Sequence, residues 1–133
     1  IFPESEAGGF EKRQAVEMRS LYIENRGKGK FAFHPLPTEA QFAPIRAIQT
    51  GDFNKDGTED VLLLGNDYTP DFMTGRYDAF PGLVLAGDGK GRFKKMPLQR
   101  QGLSFQQDVR SVVPLSVKRQ KCYLVGTNQA PLR

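Results

Sequence analysis

Residues 52 to 60 read Asp52-Phe53-Asn54-Lys55-Asp56-Gly57-Thr58-Glu59-Asp60 and lead directly into the apolar run Val61-Leu62-Leu63-Leu64. Side chains that carry oxygen occur at every second or third position around one glycine. Calcium takes six to eight oxygen ligands, and a short loop supplies them only if alternate side chains converge while a glycine permits a sharp turn. The pattern therefore predicts a calcium loop, and the expected ligands are the side chains of Asp52, Asn54, Asp56 and Asp60 and the carbonyl of Thr58.

An EF-hand loop begins in the same way, and its twelfth position separates the two kinds of site. An EF-hand has an acidic residue there, on the helix that follows, whereas this chain has Leu63. The apolar run is stopped by Gly65 and Asn66, which is typical of a short buried strand. The alternative is a solvated turn, since Asp, Asn and Gly dominate turns through local hydrogen bonds. Four side chains with the spacing of calcium ligands, directly ahead of a predicted strand, favour the interpretation as a metal site.

Composition limits the class of protein. The chain has 133 residues, about the length of one domain, with 38% hydrophobic and 26% charged residues. No stretch approaches the ~20 apolar residues of a membrane helix, so we expect no membrane span. Cys122 is the only cysteine and permits no internal disulfide; we expect a buried structural thiol. Neither the start at Ile1 nor the end at Arg133 shows a signal segment or cap, so we expect a piece of a longer chain.

An internal repeat organises the rest of the chain. Residues 22–31 are echoed by residues 84–93, an offset of 62 residues. Each copy has an apolar run, a Gly-x-Gly turn with basic residues, and a phenylalanine that opens a second run, which predicts a β-hairpin. Further matches join 45–49 to 109–113 and 61–66 to 123–128.

These matches predict five segments. They are an irregular segment at 1–14, a first unit at 15–66 with the calcium loop, a connection at 67–81, a second unit at 82–128 and a tail at 129–133. Each unit has four predicted strands, so we expect an all-β fold of two four-stranded antiparallel sheets. In the second unit residues 115–121 replace the calcium loop with basic residues, so one calcium ion is expected. We interpret the connection as a linker with aromatic side chains packed between the units; the alternative is a functional loop.

The pattern resembles FG-GAP or VCBS repeats, the blades of integrin-α-type β-propellers. It is most similar to the C-terminal blades of bacterial VCBS-repeat proteins that carry an ASPIC/UnbV domain. The segments that carry the likeness are the calcium loop and residues 20–25, 36–45, 75–79 and 87–91. The resemblance implies propeller blades, one calcium ion on Asp52, Asn54, Asp56, Thr58 and Asp60, and a fragment of a larger propeller, because two blades do not close a ring.

Three hypotheses for function follow. The first is a surface or periplasmic module, outside the cytoplasm, that binds a protein or a glycan, with its calcium structural; further blades or self-association would cover the blade faces. The second is a hydrolase of glycans or esters, for which the chain offers only His34 and the carboxylates Asp71 and Asp78, without a catalytic motif, so we expect no enzyme. The third is nucleic-acid binding by the basic turns, which we do not favour because no recognition motif accompanies them.

Overall fold

The described residues form eight antiparallel strands. The computed structural model describes residues 13–71 and 73–128, without the side chains of Leu98 and Gln99; most of the predicted segment at 1–14 and the tail at 129–133 lie outside these residues. The strands are β1 (Leu21–Asn25), β2 (Phe31–Pro35), β3 (Ile45–Gly51), β4 (Asp60–Gly65), β5 (Leu83–Gly87), β6 (Phe93–Lys95), β7 (Val109–Val117) and β8 (Gln120–Thr127). The all-β class and the antiparallel pairing predicted from the sequence are confirmed.

In the part of the chain that the structure describes, helical structure is limited to two single turns. A 3-10 turn at Thr38–Gln41 follows β2, and the α-helical turn α1 at Leu98–Gln101 follows β6. Each begins directly after a proline, Pro37 or Pro97. Within the described ranges, no helix has the length and apolar character needed to cross a membrane.

The strands form one four-stranded sheet and two two-stranded sheets. The four-stranded sheet has the order β3-β4-β5-β6, while β1 pairs with β2 and β7 with β8. The sequence predicts two four-stranded sheets, one in each unit. In the structure the four-stranded sheet instead spans the boundary between the two predicted units. Its central sheet joins the second hairpin of one predicted unit to the first hairpin of the next, because β4 pairs with β5 across the connection at 67–81.

The central sheet buries both of its faces. Along β4, Leu62 and Leu64 face one hydrophobic cluster and Leu63 faces the other, as the two-residue period of a strand requires. The first cluster includes Val109 and Val125, so the β7–β8 sheet packs on this face. The second includes the buried Ala40, Ala43, Phe80, Leu83 and Leu85, so the segment around the 3-10 turn covers the opposite face.

The β1–β2 hairpin also lies on this second side. The ring of Tyr22 on β1 packs edge-on against Phe93 of β6, with ring centroids 5.1 Å apart. Beside this contact an apolar groove of about 390 Å3 stays open, lined partly by Tyr22 together with Leu36, Ile48, Val61 and Leu63. The central sheet is therefore covered by different two-stranded sheets on its two faces, and less completely on the β1–β2 side.

The connection at 67–81 folds back on itself. Asp67 and Tyr77 exchange both main-chain hydrogen bonds, at 2.9 and 2.8 Å. Phe80 is buried in the second cluster, whereas Tyr77 is exposed. The ring of Tyr68 lies under the guanidinium of Arg76, 5.1 Å from it. Phe72 lies outside the described residues. Of the described aromatic side chains in the connection, Phe80 packs in the core, whereas Tyr68 and Tyr77 lie nearer the surface.

Candidate metal centre

The predicted calcium loop connects β3 to β4 along one end of the central sheet. It is irregular from Asp52 to Glu59, and β4 begins at Asp60. Gly57 has φ of +87°, a left-handed conformation that strains residues with a β-carbon, and a β-carbon there would meet open space. The glycine that the sequence pattern requires therefore occupies a turn that needs it on conformational grounds.

Three of the five predicted ligands meet in one hydrogen-bond network. The amide nitrogen of Asp56 lies 3.1 Å from Asp52 Oδ1 and 2.8 Å from Asn54 Oδ1, so both oxygens converge on the same donor. Gly57 donates to Asp52 Oδ2 at 3.0 Å, and the side-chain amide of Asn54 donates to Asp56 Oδ2 at 2.7 Å. The three side chains are exposed, which leaves them accessible to an ion from solvent.

Asp60 differs from the other ligands because it is fully buried. Its Oδ2 accepts the main-chain N–H groups of Phe53 and Asn54 at 3.0 and 3.2 Å. Its Oδ1 accepts the N–H of Gly87, at the end of β5, at 3.0 Å. One carboxylate thus fixes the start of the loop and joins it to a strand that is 27 residues away in sequence.

Thr58 ties the loop to the same strand. Its hydroxyl lies 3.0 Å from the carbonyl oxygen of Gly87 and 2.5 Å from Asp56 Oδ1. The pKa of Asp56 is lowered because the Thr58 hydroxyl and amide donate to its carboxylate and the Asn54 amide adds a third hydrogen bond. Asp56 is therefore ionised at neutral pH, as a calcium ligand must be.

The donor set fits a hard cation in its chemistry. Every predicted ligand atom is an oxygen, and only Lys55 offsets the four acidic side chains of the loop. Among residues 13–71 and 73–128 there is no group of three or more His, Cys, Asp or Glu side chains that could hold a metal ion by themselves. The predicted site differs from such a group because Asn54 and the Thr58 carbonyl belong to it.

A second polar cluster, which the sequence reasoning missed, lies around Asp67. Arg46 on β3 and Arg110 on β7 both form ion pairs with its carboxylate. Arg110 also donates to Asp108 Oδ2 at 2.7 Å. Asp108 is buried, and its other oxygen, Oδ1, has no hydrogen-bond partner in the described part of the chain. The signal in the sequence is that Arg46 and Arg110 occupy matched positions of the repeat.

The residues considered for catalysis lie on different elements, since His34 is on β2 and Asp71 and Asp78 are on the connection at 67–81. His34 stacks on Tyr22 and its Nε2 lies 3.2 Å from Glu24 on the surface of the β1–β2 hairpin. Asp71 accepts the N–H of Met73 at 2.7 Å, and no hydrogen bond joins it to Asp78 among the described residues. Cys122 lies on β8 and is only partly exposed.

Several of the 19 Lys and Arg residues lie at or beside hairpin turns. Lys28 and Lys30 lie at the β1–β2 turn, Lys90 and Arg92 at the β5–β6 turn, and Lys118, Arg119 and Lys121 at the β7–β8 turn, and all seven are exposed. Lys118 and Arg119 have positive φ, as expected of the two central residues of a tight hairpin turn. The loop predicted there at 115–121 is therefore mostly strand.

Comparison of the chain with protein-family models, with curated proteins and with solved structures gives no match.

Proposed function

We propose that the loop from Asp52 to Asp60 holds one structural calcium ion and that the chain is a calcium-stabilised module of blade-like sheets. The observation that carries the proposal is the convergence of the Asp52 and Asn54 side-chain oxygens on the amide nitrogen of Asp56, in a loop that Asp60 ties to β5. The ligands would be the side chains of Asp52, Asn54, Asp56 and Asp60 and the carbonyl of Thr58.

The ion would act on stability. When bound, calcium supplies positive charge that offsets repulsion among the loop carboxylates. The buried Asp60 transmits this order to the pairing of β4 with β5, since its two oxygens bond to the loop and to Gly87. The exposed carboxylates repel one another without the ion, and we therefore expect the apo loop to weaken the central sheet.

The larger role we propose is that of a scaffold in a β-propeller of the FG-GAP or VCBS type. The four-stranded meander β3-β4-β5-β6 supports this proposal, since the β7–β8 sheet packs on one of its faces and the β1–β2 hairpin lies partly over the other. Its partners would be further blades and a protein or glycan ligand. Extracellular calcium modules bind with Kd of roughly 10⁻⁴ to 10⁻³ M, so a location outside the cytoplasm is part of the proposal.

Thermal unfolding with calcium or with EGTA tests the metal. Calcium at 100 times its Kd adds about 2.7 kcal/mol, which for a chain of this size raises Tm by roughly 10 °C. We expect this rise in the wild type and its loss in Asp56→Asn. Glu59→Gln is the matched control, because Glu59 is an exposed carboxylate of the same loop outside the predicted ligand set. Equal Tm values with calcium and EGTA, and no saturable binding by calorimetry, would refute the proposal.

A further inference from the structure

The two hairpins at the ends of the described chain correspond to the two halves of the central sheet. The β3–β4 pair has a bulge between Ile45 and Ala47, and the β7–β8 pair has one between Val109 and Ser111. Beyond the bulge Ala47 pairs with Leu64, and Ser111 pairs with Gly126. The β7–β8 hairpin therefore matches the β3–β4 half of the central sheet residue by residue.

The β1–β2 hairpin matches the other half. Phe31 pairs with Asn25 beside the β1–β2 turn, as Phe93 pairs with Gly87 beside the β5–β6 turn. A glutamine also closes the open end of each hairpin. Gln41 accepts the N–H of Ser20 and donates to the Leu36 carbonyl, while Gln101 accepts from Val84 and donates to Met96.

Both terminal hairpins have an open strand edge. In the central sheet the two halves are joined because β4 pairs with β5. Among the described residues, the corresponding edges of β8 and β1 have no strand partner. The two edges of one molecule do not meet, since β7–β8 and β1–β2 lie on opposite faces of its central sheet.

Exposed apolar side chains lie beside both open edges, and the two apolar surfaces could cover each other. On the β1–β2 side of the central sheet Ile48 is 62% exposed, next to the open groove. On the outward face of β7–β8, Val113 is 52% and Leu124 38% exposed. A contact between a two-stranded sheet and the central sheet already exists within the molecule. The inward face of β7–β8, with Val109, Val112 and Val125, packs on the face of the central sheet opposite the groove.

We propose that copies of this chain associate head to tail, with β8 of one copy pairing antiparallel with β1 of the next. The β4–β5 pairs Val61↔Leu85, Leu62↔Val84 and Leu63↔Leu83 set the register. By correspondence the new pairs are Tyr123↔Ile23, Leu124↔Tyr22 and Val125↔Leu21. The composite sheet has the order β7-β8-β1-β2, and its β7–β8 half covers Ile48 and the apolar groove of the second copy.

This association does not depend on calcium and goes beyond the metal proposal. The contact is heterologous, so it generates a ring if the rotation closes and a filament if it does not. The basic turn at Lys118 and Arg119 approaches the basic turn at Arg26 and Lys28 of the next copy. Because like charges are screened by salt, we expect the association to strengthen as ionic strength rises.

Directed disulfide formation tests the register. Cys122 is the only cysteine, and one step beyond the Tyr123↔Ile23 pair it lies opposite Glu24 of the next copy. Directly opposite residues of antiparallel strands are close enough for a disulfide. Under mild oxidation we expect Glu24→Cys to yield a ladder of dimers, trimers and larger covalent species. Ala32→Cys is the matched control, since Ala32 pairs with Glu24 but lies on the outer strand β2, and we expect no ladder from it.

Light scattering of the unoxidised chain with reductant tests the association itself. We expect a mass that rises with concentration beyond a dimer, with and without EGTA. Leu124 is partly exposed, so we expect Leu124→Lys to return the chain to monomer with an unchanged circular dichroism spectrum. A monomer at every concentration up to the solubility limit overturns the proposal. So does a wild-type disulfide dimer through Cys122 alone, which would indicate a symmetric β8–β8 contact.

Discussion

Asp60 Oδ1 accepts the main-chain N–H of Gly87 at 3.0 Å, and this bond joins the predicted calcium loop to the end of β5. The same carboxylate accepts two N–H groups of the loop through Oδ2. Asp60 is therefore part of the fold as well as a predicted ligand. Its substitution is expected to lower stability even where calcium is absent, which separates it from Asp52 and Asp56.

Asp60→Ala in EGTA should lower the free energy of unfolding by about 2–4 kcal/mol. Three buried or partly buried N–H groups lose their acceptor, and each unsatisfied donor costs about 1–3 kcal/mol, offset in part by water. Urea unfolding measures the change. Asp56→Asn in the same buffer is the control and should cost less than half as much, because Asp56 is exposed. Equal losses from the two variants would contradict the structural role of Asp60.

Gly87→Ala should be far more disruptive than Gly29→Ala. A β-carbon on Gly87 would overlap the main-chain carbonyl oxygen of Glu59, so the loop would have to move. At Gly29 it would meet open space, and only the positive φ of +71° opposes it, at about 1–2 kcal/mol. We expect Gly87→Ala to cost at least about 4 kcal/mol or to prevent folding. Similar urea midpoints for the two variants would show that the close approach is unimportant.

Asn66 is expected to stabilise the end of β4 in two separable ways. Its buried side-chain amide donates to the Phe80 carbonyl at 2.9 Å and accepts the Phe80 N–H at 3.0 Å, and its backbone has φ of +77°. Asn66→Ala loses both contributions, for which we expect about 3 kcal/mol. Asn66→Gly loses only the hydrogen bonds and should be about 1 kcal/mol more stable than the alanine variant. Chemical denaturation of both variants measures the difference, and the reverse order would contradict this assignment.

Asp67 should make stability depend on pH in the acid range. Hydrogen bonds from the Thr69 amide and hydroxyl, and then from Arg46, lower the pKa of Asp67 to about 2. An aspartate in an unfolded chain has a pKa of about 3.9. Because the folded pKa is the lower one, the stabilisation is complete above about pH 5 and is lost as pH falls from about 4 to about 2.

The measurement for Asp67 is the gap in unfolding free energy between the wild type and Asp67→Asn. We expect a constant gap from pH 7 to pH 5 that closes by about pH 2. Asp71→Asn is the control, because it removes a carboxylate from the same connection without removing an ion pair among the described residues. A gap for Asp67→Asn that stays the same throughout acidification would show that the contacts with Thr69 and Arg46 do not lower the pKa of Asp67.

The strands were accessible to sequence reasoning because their signals are local. Apolar runs, Gly-x-Gly turns and the phenylalanines at 31 and 93 predict the hairpins β1–β2 and β5–β6 close to their observed bounds. The loop geometry at Gly57 also follows from residue types, since few residues other than glycine adopt its φ readily. In both cases neighbouring residues determine the conformation.

The arrangement of hairpins into sheets was less accessible because it depends on contacts distant in sequence. The repeat at 62 residues is compatible with either of two phases, in which β2 or β5 lies in the same sheet as β3 and β4. The burial of Leu83, Val84 and Leu85 against β4 selects the second. The cluster of Arg46, Asp67 and Asp108 was missed for the same reason, because it joins a residue of β3, a residue of the connection and the residue before β7.

The sheet that spans the boundary between the two predicted units also bears on how such a chain lengthens. Duplication of one 62-residue stretch, from one hairpin pair to the next, inserts one complete four-stranded sheet and leaves both terminal hairpins as they were. Every intermediate length keeps the same two open edges. Duplication of this kind would change the number of four-stranded sheets while the hairpins β1–β2 and β7–β8 keep their sequences.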